Sequence, residues 1–356
     1  MPDPDLAKQF AGKMLNIYTG AVLTKLIDIG YQTGLFEASK LGPASSEELS
    51  ERAGLNERYV REWLGGMTTG GIYTFEAATQ RYTLPEEHAV ALTGEGASNL
   101  CPASRIINHF GTHLPALTRC FRSGGGISYS AYRPVFTQCM DDSWRRVFDQ
   151  HLVAGFIGAV PGLSESLRRG IAVLDVGCGT GHAMNILARE FPASNFTGYD
   201  IAEDAIASAS AEAQQMGLTN SRFEIADVAR LPDTPKFDLI TAFDAIHDQV
   251  APDAVLRGIS HALKAGATFL MVDFKFSSKV EENVGNPFAA LHYGFSLMHC
   301  MPVSLAHGGA GLGTVWGQQL AQRMLAEAGF GSVEILDTPR PQNCSYVCRH
   351  AAATAH

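Results

Sequence analysis

Ile171-Ala-Val-Leu-Asp-Val-Gly-Cys-Gly-Thr-Gly181 is the stretch whose reading decides the fold. An apolar run of strand type reaches Asp175. Three glycines follow at alternating positions, Gly177, Gly179 and Gly181, and a helical run opens at His182. This is the pattern of a buried parallel strand turning tightly into a helix. Glycine reaches backbone angles closed to other residues. Without a Cβ it also lets a flat or charged ligand lie against the main chain. The start of the helix beyond is partly positive, and Asp175 sets a carboxylate nearby.

Asp200 lies nineteen residues past Gly181 and closes a second strand-like run, Asn195-Phe-Thr-Gly-Tyr-Asp. An acid at that place can accept both hydroxyls of a ribose. The glycine spacing after Asp175 is G-x-G-x-G, not the G-x-G-x-x-G of nicotinamide enzymes. The turn with its two acids resembles class I S-adenosylmethionine-dependent methyltransferases. The resemblance implies S-adenosylmethionine as cofactor, Gly177, Gly179 and Gly181 beside it, Asp175 toward its ammonium and Asp200 on its ribose.

Strand and helix runs alternate from Gly170 onward. Arg222 to Val228 contains a third strand ending on Asp227. Phe237 to Asp244 is a fourth, a helix spans 253–264, and Thr268 to Asp273 is a fifth strand. Such alternation implies a parallel sheet with helices on both faces. The end differs. A helix over 318–328 precedes two strands, 332–336 and 345–349, too close together for a parallel crossover and so antiparallel. The expected fold is α/β, a Rossmann-like seven-stranded methyltransferase sheet with a closing antiparallel hairpin. That hairpin argues against a dehydrogenase.

At 356 residues the chain suits two domains. Its formal net charge of −9 opposes broad binding to nucleic acid or anionic membrane. No apolar run approaches the roughly 18 residues of a membrane helix, and the N-terminus has no basic and apolar export pattern. The seven cysteines are scattered and form no C-x-x-C pair, as expected of reduced thiols in the cytoplasm. Ala351 to His356 reads as a frayed tail. The expected division is 1–95, a mostly helical winged-helix domain; 96–165, connecting helices; and 166–350, the catalytic domain, with an insertion over 274–315.

Residues 6 to 37 carry apolar positions at helical spacing, punctuated by Gly30 and Gly34, and read as two helices that each bury a face. Ser45 with Glu48 marks a capped helix that stops at Gly54, and Asn56 caps the next, Glu57 to Met67. Ile72 to Phe75 and Arg81 to Leu84 then form a wing, completing a winged-helix pattern. Over residues 1–95 there are eight Lys and Arg against thirteen Asp and Glu. A DNA reader carries a basic face, so a dimerisation and substrate-capping module is the preferred reading. Further on, Gly124 to Tyr132 reads as a flexible loop. Phe136, Met140 and Ser143 begin a helix that the resemblance places alongside the cofactor.

By the same resemblance, Asp227 receives the adenine amine, while Val228 and Ile201 cover the ring; Phe243 is counted with the cofactor-binding residues. Phe243-Asp-Ala-Ile-His-Asp-Gln249, continuing through Pro252 to Gly266, is similar to winged-helix small-molecule O-methyltransferases. That similarity implies His247 as general base, Asp273 as the acid that orients it, and Asp248 beside them. The chemistry suits the assignment. A phenol (pKa about 10) or thiol (about 8.5) is mostly protonated at neutral pH, and an imidazole can take its proton during attack. In the insertion, Trp316 and Tyr293 are expected to line the acceptor pocket, on the view that so long a structureless loop is rarely idle. His292, His299, His307 and Cys300 show no recurring ligand spacing, and no metal is expected. Asn286-Pro-Phe falls after the fifth strand, not the fourth, and lacks the second proline of the amino-methylating signature.

The reading is a methyltransferase acting on a small hydroxyl or thiol acceptor, as a homodimer held by its N-terminal domain, without nucleic-acid or membrane partners. The rival reading is a winged-helix transcriptional regulator that senses S-adenosylmethionine.

Overall fold

The computed structural model describes residues 1–231 and 233–351; residues 352–356 of the expected tail lie outside them. The chain forms two units, Met1–Gly111 and Thr112–His356.

In the first unit, α1 runs unbroken from Pro4 to Gln32, where two helices were expected. Gly30 does not end it. A Cβ there would meet the Trp63 ring at 2.5 Å and the Phe36 ring at 2.7 Å, so this glycine admits two core aromatics against the helix. The break comes at Gly34, in the left-handed region at φ 73°. Nor do the apolar positions of α1 from Leu6 to Val22 bury a face in this chain: Leu6, Phe10, Ile17 and Val22 are 52–62% exposed.

Helices α2 (Leu35–Ser39), α3 (Ser46–Ala53) and α4 (Glu57–Thr69) follow. Strands β1 (Thr74–Glu76) and β2 (Arg81–Thr83) pair antiparallel as the wing. Phe36, Leu49, Trp63, Leu64 and Met67 form the core. Ser45 and Glu48 make a reciprocal capping box at the start of α3. Ser45→Ala should therefore destabilise this unit by about 1 kcal/mol. A urea transition followed through Trp63 checks it, and an unmoved midpoint would show that the cap contributes nothing.

The second unit is built on a seven-stranded sheet. Its strands are β3 (Ala172–Val176), β4 (Asn195–Asp200), β5 (Ser221–Ile225), β6 (Phe237–Phe243), β7 (Leu263–Phe274), β8 (Phe330–Asp337) and β9 (Asn343–His350). They lie in the order β5-β4-β3-β6-β7-β9-β8. The first five are parallel, and β9 pairs antiparallel with both β7 and β8. This is the expected sheet with its closing hairpin. Val173, Leu174, Leu239, Ile240, Phe269 and Met271 are fully buried, each contributing roughly 1.5–3 kcal/mol of burial.

The insertion is not the expected structureless loop. It contains short helices at Val280–Asn283, Ala289–Phe295 and Met301–Leu305, with a π-helical turn at Ser296–Cys300. Phe274, Phe276, Ala289 and Val315 give it a small core of its own. No helix of the described residues is long and apolar enough to cross a membrane.

Candidate functional site

β3 and β6 lie side by side at the centre of the sheet, with β4 beyond β3. Their C-terminal ends open on a cavity of about 220 Å³. Gly177, Gly179 and Gly181 all have positive φ, at 70°, 52° and 71°. Two of them also meet close neighbours: a Cβ on Gly177 would lie 2.7 Å from Ala245, and one on Gly181 2.4 Å from the Phe223 ring. Gly179 leaves open space, and its N–H donates to Asp200 Oδ2 at 2.9 Å. Asp200 Oδ1 accepts from Ala202 N at 2.9 Å, so this acid already fastens the glycine turn to the end of β4.

Asp175 is 3% exposed and accepts from Thr241 Oγ1 at 2.6 Å. Burial pushes its carboxyl up to about 7, against the help of that hydrogen bond. Burial likewise raises Asp200, despite the backbone N–H groups that favour its charge. Asp175, Gly177, Gly179, Asp200, Ile201, Val228 and Phe243 all line the cavity. Gly181 and Asp227 do not. Asp227 Oδ1 accepts from Ala229 N at 3.0 Å, capping the short helix Val228–Arg230, and Asp227 pairs with Arg230 at 3.3 Å. Its half-exposed carboxylate serves the turn, and Ala226 and Val228 form the wall there.

The facing wall comes from helix Val135–His151. Phe136, Met140, Trp144 and Phe148 all line the cavity. They recur every fourth residue, a stripe on one helical face. That spacing was the signal available for the last two, which the sequence reading missed. The same helix is tied to the glycine turn, since Thr180 Oγ1 donates to Asp141 Oδ1 at 2.5 Å. Arg145 bonds both Asp141 and Glu212, and hydrogen bonds from His182, Asn185 and Arg145 hold Glu212 down at about 2 against the effect of its burial. The insertion supplies Val303 and His307 to the wall. The expected lining residues lie elsewhere. Trp316 is buried in the sheet core, and Tyr293 is 39% exposed and accepts from Asn283.

His247 stands just beyond β6, and Asp273 lies in β7. Because these strands are neighbours, His247 Nδ1 comes 3.0 Å from Asp273 Oδ1 and 3.2 Å from Oδ2. Burial opposes charge on the ring. Asp273, together with Cys300, outweighs it, and the imidazole is held well above its ordinary value. Cys300 Sγ in turn accepts from Thr314 Oγ1 at 3.1 Å. At 2% exposure His247 does not line the cavity; its neighbours Asp244, Ala245 and Asp248 do. Burial lifts Asp248 to about 7, countered by His247. Asp244 adopts φ 58°, rare for a side-chain-bearing residue, and accepts from Trp144 Nε1 at 3.4 Å.

Few cations offset this cavity's carboxylates. Of its lining residues Arg145 alone is permanently positive, and it is engaged with Asp141 and Glu212. The donor set therefore fits a cationic ligand, and the open space at Gly179 lets one approach the main chain. A seven-stranded sheet of this order, with a glycine turn and strand-end acids on one cavity, defines the class I methyltransferase fold, whose cofactor is S-adenosylmethionine.

Residues 167–329 match the methyltransferase domain family, and residues 21–94 match the Rv2258c-like winged helix-turn-helix domain. The chain thus joins a methyltransferase domain to an Rv2258c-like winged helix-turn-helix domain. It is similar to a candidate O-methyltransferase from Nostoc punctiforme, with TM-score 0.74 and 20% identity, covering 98% of this chain and 99% of that one. Human N-acetylserotonin methyltransferase in complex with S-adenosylmethionine gives TM-score 0.68 at 17% identity, covering 96% and 98%. At these identities the likeness is one of fold. A curated relative, ribosomal protein L11 methyltransferase of Porphyromonas gingivalis, is 42% identical over 74 residues, 21% of this chain and 25% of the relative. The chain spans from about a quarter to about half the length of the curated relatives it matches.

Proposed function

We propose that this chain transfers a methyl group from S-adenosylmethionine to a small-molecule hydroxyl or thiol, with His247 as general base and Asp273 orienting it. The observation that carries the reading is the buried His247–Asp273 pair directly behind the cavity wall. S-adenosylmethionine supplies a methyl group activated by a sulfonium. Asp175 would face its ammonium, Asp200 its ribose, and Ile201 and Val228 its adenine, with Phe243 closing the wall. In-line displacement needs the acceptor's lone pair close to the methyl carbon. The aromatic stripe of helix Val135–His151 suits holding an apolar acceptor there. His247 can take the acceptor's proton once it has lost its own, and it loses that proton more easily beside a cationic ligand. Asp248 holds a second carboxyl at the same wall.

The test is a screen of phenols, thiols and amines for S-adenosylhomocysteine release. Turnover of a phenol or thiol is expected; release with amines alone would contradict the acceptor assignment.

Cofactor binding should depend on pH through Asp175. Below about 7 its carboxyl is protonated and offers the ligand's ammonium no charge. Affinity for S-adenosylmethionine should thus rise by about tenfold between pH 6 and 7.5, following the ionised fraction, and Asp175→Asn should flatten the profile. A flat profile in the unaltered chain would contradict Asp175's role.

The chain would act as a homodimer. Exposed Leu6, Phe10, Ile17 and Val22 on α1 support this, as an apolar surface that the chain itself leaves open. Light scattering should give twice the chain mass, and Phe10→Glu should shift it toward the monomer; a monomer at every concentration would refute it. In α4, Arg58 pairs with Glu62 at 2.6 Å and Arg61 with Glu57 at 3.3 Å. That pairing favours the enzyme over a DNA-binding regulator. The seven free cysteines suit a reducing compartment such as the cytoplasm.

A further inference from the structure

We infer that Asp244, His247 and Asp273 form a binding site for one divalent first-row transition-metal ion. Asp244 and His247 follow β6 three residues apart, and the neighbouring β7 brings Asp273 to them at the C-terminal edge of the sheet. One ligating atom from each lies within 4.8 Å of the others. Nδ1 of His247 is 3.0 Å from Asp273 Oδ1 and 3.9 Å from Asp244 Oδ1. A cation about 2.0–2.2 Å from each donor needs those donors roughly 3–3.5 Å apart. The His247–Asp273 edge meets that spacing, the His247–Asp244 edge needs a few tenths of an ångström, and the two carboxylates, within 4.8 Å of one another, are drawn together by the cation.

A second observation points to the same place. Asp244 Oδ1 is buried without a hydrogen-bond partner, on a side chain only 8% exposed. Among the described residues no hydrogen bond reaches that oxygen, and His247 Nδ1 lies 3.9 Å from it. A buried carboxylate oxygen in this position is costly unless paired or bound to a metal.

The surrounding charge agrees. Asp248 adds a third carboxylate to the field at Asp244 and His247. Against them stand the His247 ring and Arg340, whose guanidinium stacks over Trp144 at 4.5 Å. One imidazole and two carboxylates suit a borderline cation such as Co²⁺, Zn²⁺ or Mn²⁺ better than a thiol-seeking one. Three protein donors leave further positions open, and Asp244 lies in the cavity wall. A cation on Nδ1 and the proton that Nδ1 shares with Asp273 exclude each other, so the two forms of the site are alternatives. The site does not depend on the methyl-transfer reading.

The test is Co²⁺ titration of the full chain after exhaustive removal of metal. One equivalent per chain with a visible ligand-field band is expected, displaced by Zn²⁺. Asp244→Asn keeps the shape of the side chain and should weaken Co²⁺ at least about tenfold, since even outer partners of a metal site cost that much. Asp248→Asn, one carboxylate outside the set, should retain the band and the stoichiometry. Circular dichroism on each variant confirms that it folds. Absence of the band, or an affinity unchanged in Asp244→Asn, would overturn the site. S-adenosylmethionine titrated into the same metal-free samples separates this result from the fate of the methyl-transfer reading.

Discussion

His247→Ala should lower turnover by about 10²–10⁴-fold while S-adenosylmethionine still binds. The two effects separate because of where the ring sits. His247 is buried behind the wall and contacts Asp273, not the glycine turn or Asp200. Removing it takes away a proton acceptor and leaves the cofactor end of the cavity intact. Asp273→Asn tests the same pair from the other side. Its amide can still meet the ring but cannot hold the charge, so turnover should fall while the fold stays. Asp248→Asn is the informative contrast, because Asp248 faces the cavity and its carboxyl lies up at about 7, well placed to exchange a proton near neutral pH. If His247→Ala turns over nearly as fast as the unaltered chain and Asp248→Asn does not, the base is the cavity-facing carboxylate.

Asp200→Ala should weaken S-adenosylmethionine binding by about 1.5–3 kcal/mol, roughly 10- to 150-fold, as for losing hydrogen bonds to a charged group. Part of this comes from an effect visible only in the structure. Asp200 holds the Gly179 and Ala202 N–H groups, so its loss also loosens the turn that borders the cofactor. Asp200→Asn keeps one acceptor oxygen and should lose less. Equal affinity in all three proteins would remove Asp200 from the ribose.

Much of the sheet could be read from local signals. The strand ending on Asp175, the regular alternation after it and the short gap before the last strand each constrain topology directly, giving a parallel sheet with a closing antiparallel hairpin; the β5-β4-β3-β6-β7-β9-β8 order is seen only in the structure. What the sequence hid depends on contacts between distant segments. Gly30 reads as a helix stop, yet Phe36 and Trp63 need its missing side chain where they pack against α1. Asp227 reads as an adenine ligand by position, and the sequence does not show that its carboxylate also accepts from Ala229 and pairs with Arg230. Trp316 looks like pocket lining within a glycine-rich run and is instead packed against the sheet.

The acidic cluster is the clearest case. The search for metal ligands in the sequence turned to His292, His299, His307 and Cys300, which share a segment. Asp244 and His247 stand three residues apart after the fourth strand, but Asp273 ends the fifth, and only the adjacency of β6 and β7 brings it to them. The aromatic wall was nearer to hand, since Phe136, Met140, Trp144 and Phe148 repeat at four-residue spacing in a helix whose start was recognised.

Calorimetric titration of the purified chain with S-adenosylmethionine and with S-adenosylhomocysteine addresses the central claim most directly. The expected result is one site per chain for each, weakened by Asp200→Ala and, below neutral pH, by protonation of Asp175. No heat with either compound, from protein that unfolds cooperatively, would contradict the account at its root.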